Sequence, residues 1–322
     1  MAGGVFRFDI GARFGRVSTV ILTLPIALTW NGDHPIVTFG TVDSADLKLP
    51  FWSDTLARCQ SVTGLQPLDA FALDDSALTL SGSILHLTRC GSTLVARQLG
   101  AVTRTAVLSE PFIFQHLIEG PLADSAITRR RMRQLFAAFR DGLAPVADRI
   151  VVKWPPLFGH YAAQLQEALP APTLFLHRDP VEVLASILRH PAGTIDHLKP
   201  HHLAPLGEAP PPMPERPLQR AATMLAAICT SVSRQPGIRS LDYARLPEAT
   251  QAAIAPFFGM ALTEADRESL RQASQFYSKK SGENYAADRE ADLPLTSPRV
   301  IEAARDILGP AYAAMLAGLS PL

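Results

Sequence analysis

Residues 84–94, Ile84-Leu85-His86-Leu87-Thr88-Arg89-Cys90-Gly91-Ser92-Thr93-Leu94, carry the reading of this chain. A short apolar run stops at a turn of small residues, and Leu94 to Leu99 continues as a helix. A strand–turn–helix junction of this kind aims backbone N–H groups and the positive end of a helix dipole at one point, which suits a phosphate or a sulfate. Small residues let the anion approach the backbone, and Arg89 can grip it with paired, charge-assisted hydrogen bonds. Taken alone, the same turn also serves as an ordinary capped helix start.

Two familiar alternatives fail. No Lys follows Gly91, so the turn is not G-x-x-x-x-G-K-[ST]. Six residues separate Cys90 from Arg97, one more than a Cys-x5-Arg phosphatase loop has, so Cys90 reads as a small loop residue.

Outward from the turn, strands and helices alternate. Ala106-Val107-Leu108, Ile150-Val151-Val152, Leu174-Phe175-Leu176 and Ile238 to Leu241 are short apolar strands. Between them, Ile127, Leu135, Phe136, Phe139 and Leu143 share one helical face, and Val181, Leu184 and Leu188 share another. This alternation predicts an α/β fold with a mostly parallel sheet and helices on both faces. Residues 1–80 differ: runs such as Val5–Ile10, Val17–Thr29 and Ile36–Phe39, punctuated by Gly, Asp and Pro, predict a small β-rich N-terminal region beside a main domain over 81–322. Eight prolines between Pro191 and Pro217 mark a long loop, read as a lid.

Composition excludes several classes. The chain has 322 residues, 30 basic against 30 acidic, and 47% apolar residues. A disordered chain needs low hydrophobicity and high net charge. A general binder of nucleic acid or of anionic membranes needs a basic excess. The three cysteines, Cys59, Cys90 and Cys229, lack CxxC spacing and point to a reducing compartment. Arg7, Arg13 and Arg16 before the apolar stretch Thr19–Trp30 loosely imitate a signal peptide, but Asp9, Pro25 and the missing A-x-A site oppose it. The stretch is too short to span a bilayer and reads as buried strand, so the expectation is a cytoplasmic protein.

A second motif follows the fourth strand of the main domain. In Leu176-His177-Arg178-Asp179-Pro180, Arg178 sits at a strand end, Asp179 suits a helix N-cap and Pro180 the first helical turn, with Ser186 about two turns on. An Arg and a hydroxyl so placed can clamp a second anion. Together the two motifs resemble the sulfotransferases that use 3′-phosphoadenosine-5′-phosphosulfate (PAPS). Arg89 to Thr93 matches the family's K/R-x-G-[ST]-T loop. Arg178 and Ser186 match its R-[DN]-P loop with Ser eight residues after the Arg. Ile150 to Pro155 resembles its apolar strand ending in Lys, here Lys153; Leu241 to Leu246, Phe257 to Met260 and Tyr277 to Gly282 resemble later parts in the same order.

The resemblance implies a P-loop, nucleotide-kinase-like parallel sheet and the transfer of a sulfuryl group from PAPS to an acceptor hydroxyl, releasing 3′,5′-adenosine bisphosphate (PAP). It implies Arg89 at the bridging oxygen, with Cys90, Gly91, Ser92 and Thr93 around the 5′-phosphate. Arg178, Ser186 and Lys279 or Lys280 would hold the 3′-phosphate. Pro155 stands where the cytosolic branch has its basic His, whereas Glu110 stands 21 residues beyond Arg89, the spacing of the tyrosylprotein branch's Glu. Glu110 is therefore the expected base and His160 the reserve, a helix-surface histidine on the plainer reading. No metal is expected, although His197, His201 and His202 fall together in the Pro-rich loop. Arg129-Arg130-Arg131 with Arg133 reads as a solvated helix face. The acceptor's chemistry and the oligomeric state are not readable; loops 112–130, 155–162 and 191–217 are the expected acceptor walls. A kinase would need a loop Lys and Mg²⁺ ligands. A non-catalytic nucleotide-binding scaffold is the remaining alternative.

Overall fold

A computed structural model describes residues 19–73, 80–120, 126–190, 195, 197–275 and 297–322. The expected run Val5–Ile10 and the basic segment Tyr277 to Gly282 lie outside the described residues.

β1 (Ile21–Asn31), β2 (His34–Asp43) and β3 (Ser61–Pro67) form an antiparallel sheet in chain order. β3 has no buried residue, which is why hydrophobic patterning missed it. β1 alternates apolar and polar, and its buried Leu22, Leu24 and Leu28 pack into the same cluster as Phe136 and Phe139 of α2 (Ala126–Leu143). A side chain at Gly142 would run into the Thr23 carbonyl, so glycine there lets the end of α2 approach β1.

The main sheet holds six parallel strands in the order β5-β6-β4-β7-β8-β9. These are β4 (Gly82–His86), β5 (Thr105–Ser109), β6 (Arg149–Lys153), β7 (Thr173–His177), β8 (Ile238–Asp242) and β9 (Ser320–Pro321). The last is two residues long and carries no sequence signal. Alternate residues of β4 to β7 enter two apolar clusters: Ile84, Val107, Val151 and Leu174 face α1 (Ser92–Leu99), while Leu85, Leu108, Val152 and Phe175 face the opposite layer. Continuous apolar runs are what a sheet buried on both faces requires. That opposite layer holds α2, α3 (Ala162–Ala168), α4 (Pro180–Arg189) and α5 (Pro217–Ser233).

From β4 the chain goes to β5 on one side, and after β6 it crosses to β7 on the other. Reversals of this kind open a crevice beyond the carboxyl ends of the strands, where ligands bind in α/β sheets. The Arg89–Thr93 turn and the loops after β5, β6 and β7 all start there.

Two expectations need correction. Arg131 does not lie on a solvated face. It is buried, its Nε and Nη2 donate to Asp69 at 2.9 and 2.7 Å, and its guanidinium sits 5.6 Å from the Trp30 ring centre. Packing of β1 and the Leu68–Ala70 turn over α2 covers it. Ile127 is half exposed, in the first turn of α2, short of the buried stretch. Among the described residues no helix is long and apolar enough to cross a membrane.

Candidate functional site

The turn after β4 is strained where it matters. Arg89 has φ +64° and Gly91 φ +79°, the left-handed region that costs a side-chain-bearing residue about 1–3 kcal/mol. A Cβ at Gly91 would lie 2.7 Å from Leu246 Cδ1 and 2.8 Å from Tyr243 Cδ2, so the turn closes against the end of β8 only with glycine. α1 starts at Ser92 with no side-chain cap at Gly91. Cys90 is fully buried, and burial pushes its thiol up to about 12, which leaves no thiolate for nucleophilic work.

On the β7 side three expected residues meet. Arg89 Nε donates to Ser186 Oγ at 2.8 Å, and Arg178 Nη1 donates to the Arg89 carbonyl at 3.4 Å. Arg178 and Ser186 are both buried. Arg178 also pairs with Glu182 (Nε to Oε2, 2.6 Å) and lies 4.5 Å from the Tyr243 ring centre. Local chemistry sets this corner: Asp179 caps α4 by accepting from the Val181 and Glu182 amides, and Pro180 opens the helix. One helical stretch thus delivers Glu182 to Arg178 and Ser186 to Arg89.

On the β5–β6 side sits a second polar knot. Lys153, fully buried at the end of β6, donates to Glu110 Oε1 at 2.5 Å and lies 3.3 Å from Thr93 Oγ1 and 3.4 Å from Ser109 Oγ. Glu110, just past β5, has φ +58°, a second strained residue on the crevice. It is not an exposed strand-end carboxylate: its side chain is 13% exposed, drawn inward by Lys153. His86 Nε2 lies 3.7 Å from Glu110 Oε1. Burial first, then the Lys153 ammonium, lowers the His86 pKa to about 4, so this imidazole is neutral at pH 7.

His160 also departs from expectation. It is buried rather than on a helix surface, because the Pro156–Tyr161 turn folds under α5, and neither ring nitrogen has a hydrogen-bond partner among the described residues. Burial, with His202 and His201 nearby, lowers its pKa to about 3. His160 stacks beside His202 at 6.4 Å between ring centres, and its surroundings are the Glu119 cluster. Glu119 accepts from His202 Nε2 at 3.1 Å, Lys199 Nζ at 2.6 Å and Gln115 Nε2 at 2.7 Å. Glu119, His201 and His202 bring potential metal-binding atoms within 4.8 Å of one another. The Lys199 amide, however, donates to His202 Nδ1 at 3.0 Å, which puts the proton on Nε2 and directs it at Glu119. A cation here would displace that proton and face the Lys199 ammonium. As wired, the cluster latches the Pro200–Leu203 turn of the Pro-rich loop to the segment after β5.

The latch has a pH signature. Burial raises the Glu119 pKa, but hydrogen bonds from His202, Lys199 and Gln115 outweigh it and hold the carboxyl at about 2, below its ordinary value of 4.5. Its contribution to stability is therefore complete above about pH 4.5 and declines as pH falls toward 2. Denaturation of wild type and Glu119→Gln from pH 6 down to 3.5 should show a stability gap that narrows with acid; a constant gap would contradict this wiring.

Of the residues singled out from sequence, Arg89, Arg178 and Ser186 converge at one corner and Thr93 and Glu110 at the other, with Cys90, Gly91 and Ser92 between them. Lys279 and Lys280 lie outside the described residues. Sequence reasoning gave no role to Lys153, His86 or Glu119. Lys153 stands out in the sequence as the Lys that closes an apolar strand, unusual in a buried sheet; His86 and Glu119 carry no such signal.

Similar solved structures are sulfotransferases. Sulfotransferase STF1 from Mycobacterium tuberculosis H37Rv is 16% identical with a TM-score of 0.41, and STF9 from Mycobacterium avium is 12% identical with a TM-score of 0.40. Each alignment covers 71% of this chain and 77% of the other. No family model matches the chain, and no curated protein matches it.

Proposed function

We propose that the chain is a sulfotransferase that moves the sulfuryl group of PAPS to an acceptor hydroxyl by in-line displacement, with residues 81–322 as the transferase domain. The observation that carries this reading is the pairing of a strained, anion-ready turn with a cation–carboxylate pair at its flank: Lys153 and Glu110 stand beside Thr93 while Arg89 joins Ser186 and Arg178 on the other side.

Each group then has a task. The Gly91-Ser92-Thr93 amides at the start of α1 hold the 5′-phosphate. Arg89 stabilises charge on the bridging oxygen as the nucleotide leaves, and Lys153 neutralises sulfuryl oxygens. Arg178 and Ser186 hold the 3′-phosphate, the group that tells this donor from ATP; Lys279 or Lys280 would join them. Glu110 takes the acceptor's proton. As Lys153 turns toward the sulfuryl group, Glu110 loses its ion-pair partner and becomes a stronger base. The acceptor enters a cavity of about 460 Å³ lined by Trp30, Phe112, Gln115, His116, Glu119 and Lys199. It lies where loops 112–120 and 197–203 meet, with Phe112 only two residues from Glu110, and the 191–217 segment acts as its lid. Free thiols at Cys59, Cys90 and Cys229 suit a reducing compartment and a cytoplasmic enzyme.

Calorimetry of PAP and ATP against wild type and Arg178→Ala tests the donor site. PAP should bind at micromolar level and ATP should not. Arg178→Ala should weaken PAP by about 1.5–3 kcal/mol, the worth of a hydrogen bond to a charged group. Equal binding of both nucleotides, or of neither, would remove the reading.

A further inference from the structure

His86 is a buried titratable group to which the mechanism above gives no task. Its Nδ1 lies 3.3 Å from the Leu87 carbonyl, and a carbonyl only accepts, so Nδ1 carries the ring proton. Nε2 is then a bare lone pair. It is buried, makes no hydrogen bond, and lies 3.7 Å from Glu110 Oε1. Two acceptors facing each other without a proton between them repel, and an unsatisfied buried acceptor is costly. The arrangement is satisfied once a proton arrives on either atom.

We propose that His86 is the second seat for the proton that Glu110 removes, a positioning residue that sets Glu110's strength as a base; this rests on the reading of Glu110 given above. In the transfer step the acceptor oxygen bonds to sulfur, and the bond from sulfur to the bridging oxygen breaks with its electron pair leaving on the nucleotide. The acceptor's proton passes to the Glu110 carboxylate, whose new O–H closes the gap to His86 Nε2. No oxidant or further reactant is needed. Lys153 pulls the other way, since an ammonium 2.5 Å from Glu110 Oε1 favours the ionised carboxylate. His86 supplies the opposing interaction, available only when Glu110 is protonated.

The groups facing His86 fit the task. Lys153 comes from β6 and Glu110 from the end of β5. β7, the strand beside β4 on the other side, presents Leu176 opposite His86 and carries no charged residue from Thr173 to Leu176. Burial and Lys153 keep the ring neutral, so Nε2 is free to receive, while Glu110 and the Leu87 and Trp154 carbonyls favour a second ring proton.

The test needs no acceptor substrate. Glutamate side chains are labelled with ¹³C, Glu110 is assigned by the signal lost in Glu110→Gln, and its titration is followed in wild type, His86→Phe and His86→Gln. His86→Phe should reduce the proton affinity of Glu110 about tenfold, and His86→Gln should not restore it, because its amide can turn NH2 toward the carboxylate and favour the ionised form. PAP binding should stay unchanged in both. An unaltered Glu110 midpoint in His86→Phe would overturn the proposal. So would a wild-type ¹⁵N spectrum showing His86 protonated on Nε2 at neutral pH, a measurement that needs no variant to fold. Loss of transfer in Glu110→Gln is read separately: a fully active Glu110→Gln removes the base reading, whereas an unshifted midpoint beside an inactive Glu110→Gln removes only the role of His86.

Discussion

On the function proposed above, Glu110→Gln should cost sulfuryl transfer about 10²–10⁴-fold and leave PAP binding intact. The amide keeps the side chain's shape, and its oxygen still accepts from Lys153, so the strained turn at φ +58° retains its tether. What disappears is the ability to take a proton from the acceptor hydroxyl. General-base contributions of this kind are worth about 10²–10⁴-fold. The measurement is PAP release from PAPS over a panel of phenols, sugars, sterols and tyrosine peptides, alongside calorimetry with PAP. The substitution should lower turnover by that factor on any acceptor that wild type uses. Turnover within about twofold of wild type would reject Glu110 as the base. Equal loss of turnover and PAP affinity would place the damage in folding of the crevice instead.

Lys153→Met has the largest expected effect on stability. Lys153 is fully buried, and Glu110 is its close partner. Methionine fills the stem's volume but leaves the carboxylate beside a bare His86 nitrogen without its counter-charge. Removing one member of a buried pair costs about 3–5 kcal/mol, because the cost lies in the charge left behind rather than in the bond lost. Denaturant titration should show that loss at pH 7. The double variant Lys153→Met with Glu110→Gln should recover most of it, since no buried charge remains. A loss below about 1 kcal/mol in the single variant would mean that Glu110 swings out to water, and that the pair is an exposed one despite its packing.

Much of this was legible in the residues. Ile84 to Leu87, Val107, Ile150 to Val152 and Leu174 to Leu176 are short apolar runs because the sheet is covered on both faces, and that pattern is local. Asp179-Pro180 announces its own helix start. Illegible were the features created by burial. His160 and Arg131 look like surface residues in sequence and are core residues in the fold, since which polar side chains are covered depends on what packs over them. The positive φ of Arg89 and Glu110 is likewise imposed by the crevice, as neither residue type prefers that conformation. β9 and β3 have no hydrophobic signature of their own and exist as strands because an edge was there to pair with.

Periodicity and turn chemistry act over a few residues, so the chain alone determines where strands alternate with helices, where an anion-ready turn sits and which residue types stand at the strand ends. Partnership across the chain is a different matter. Arg89 meets Ser186 across 97 positions, Lys153 meets Glu110 across 43, and His202 meets Glu119 across 83. These meetings follow from the strand order β5-β6-β4-β7, which sets the end of β4 between the ends of β6 and β7 and brings β5 alongside β6. Strand order is chosen by the packing of the whole sheet between its two helical layers, and only the tertiary structure decides it.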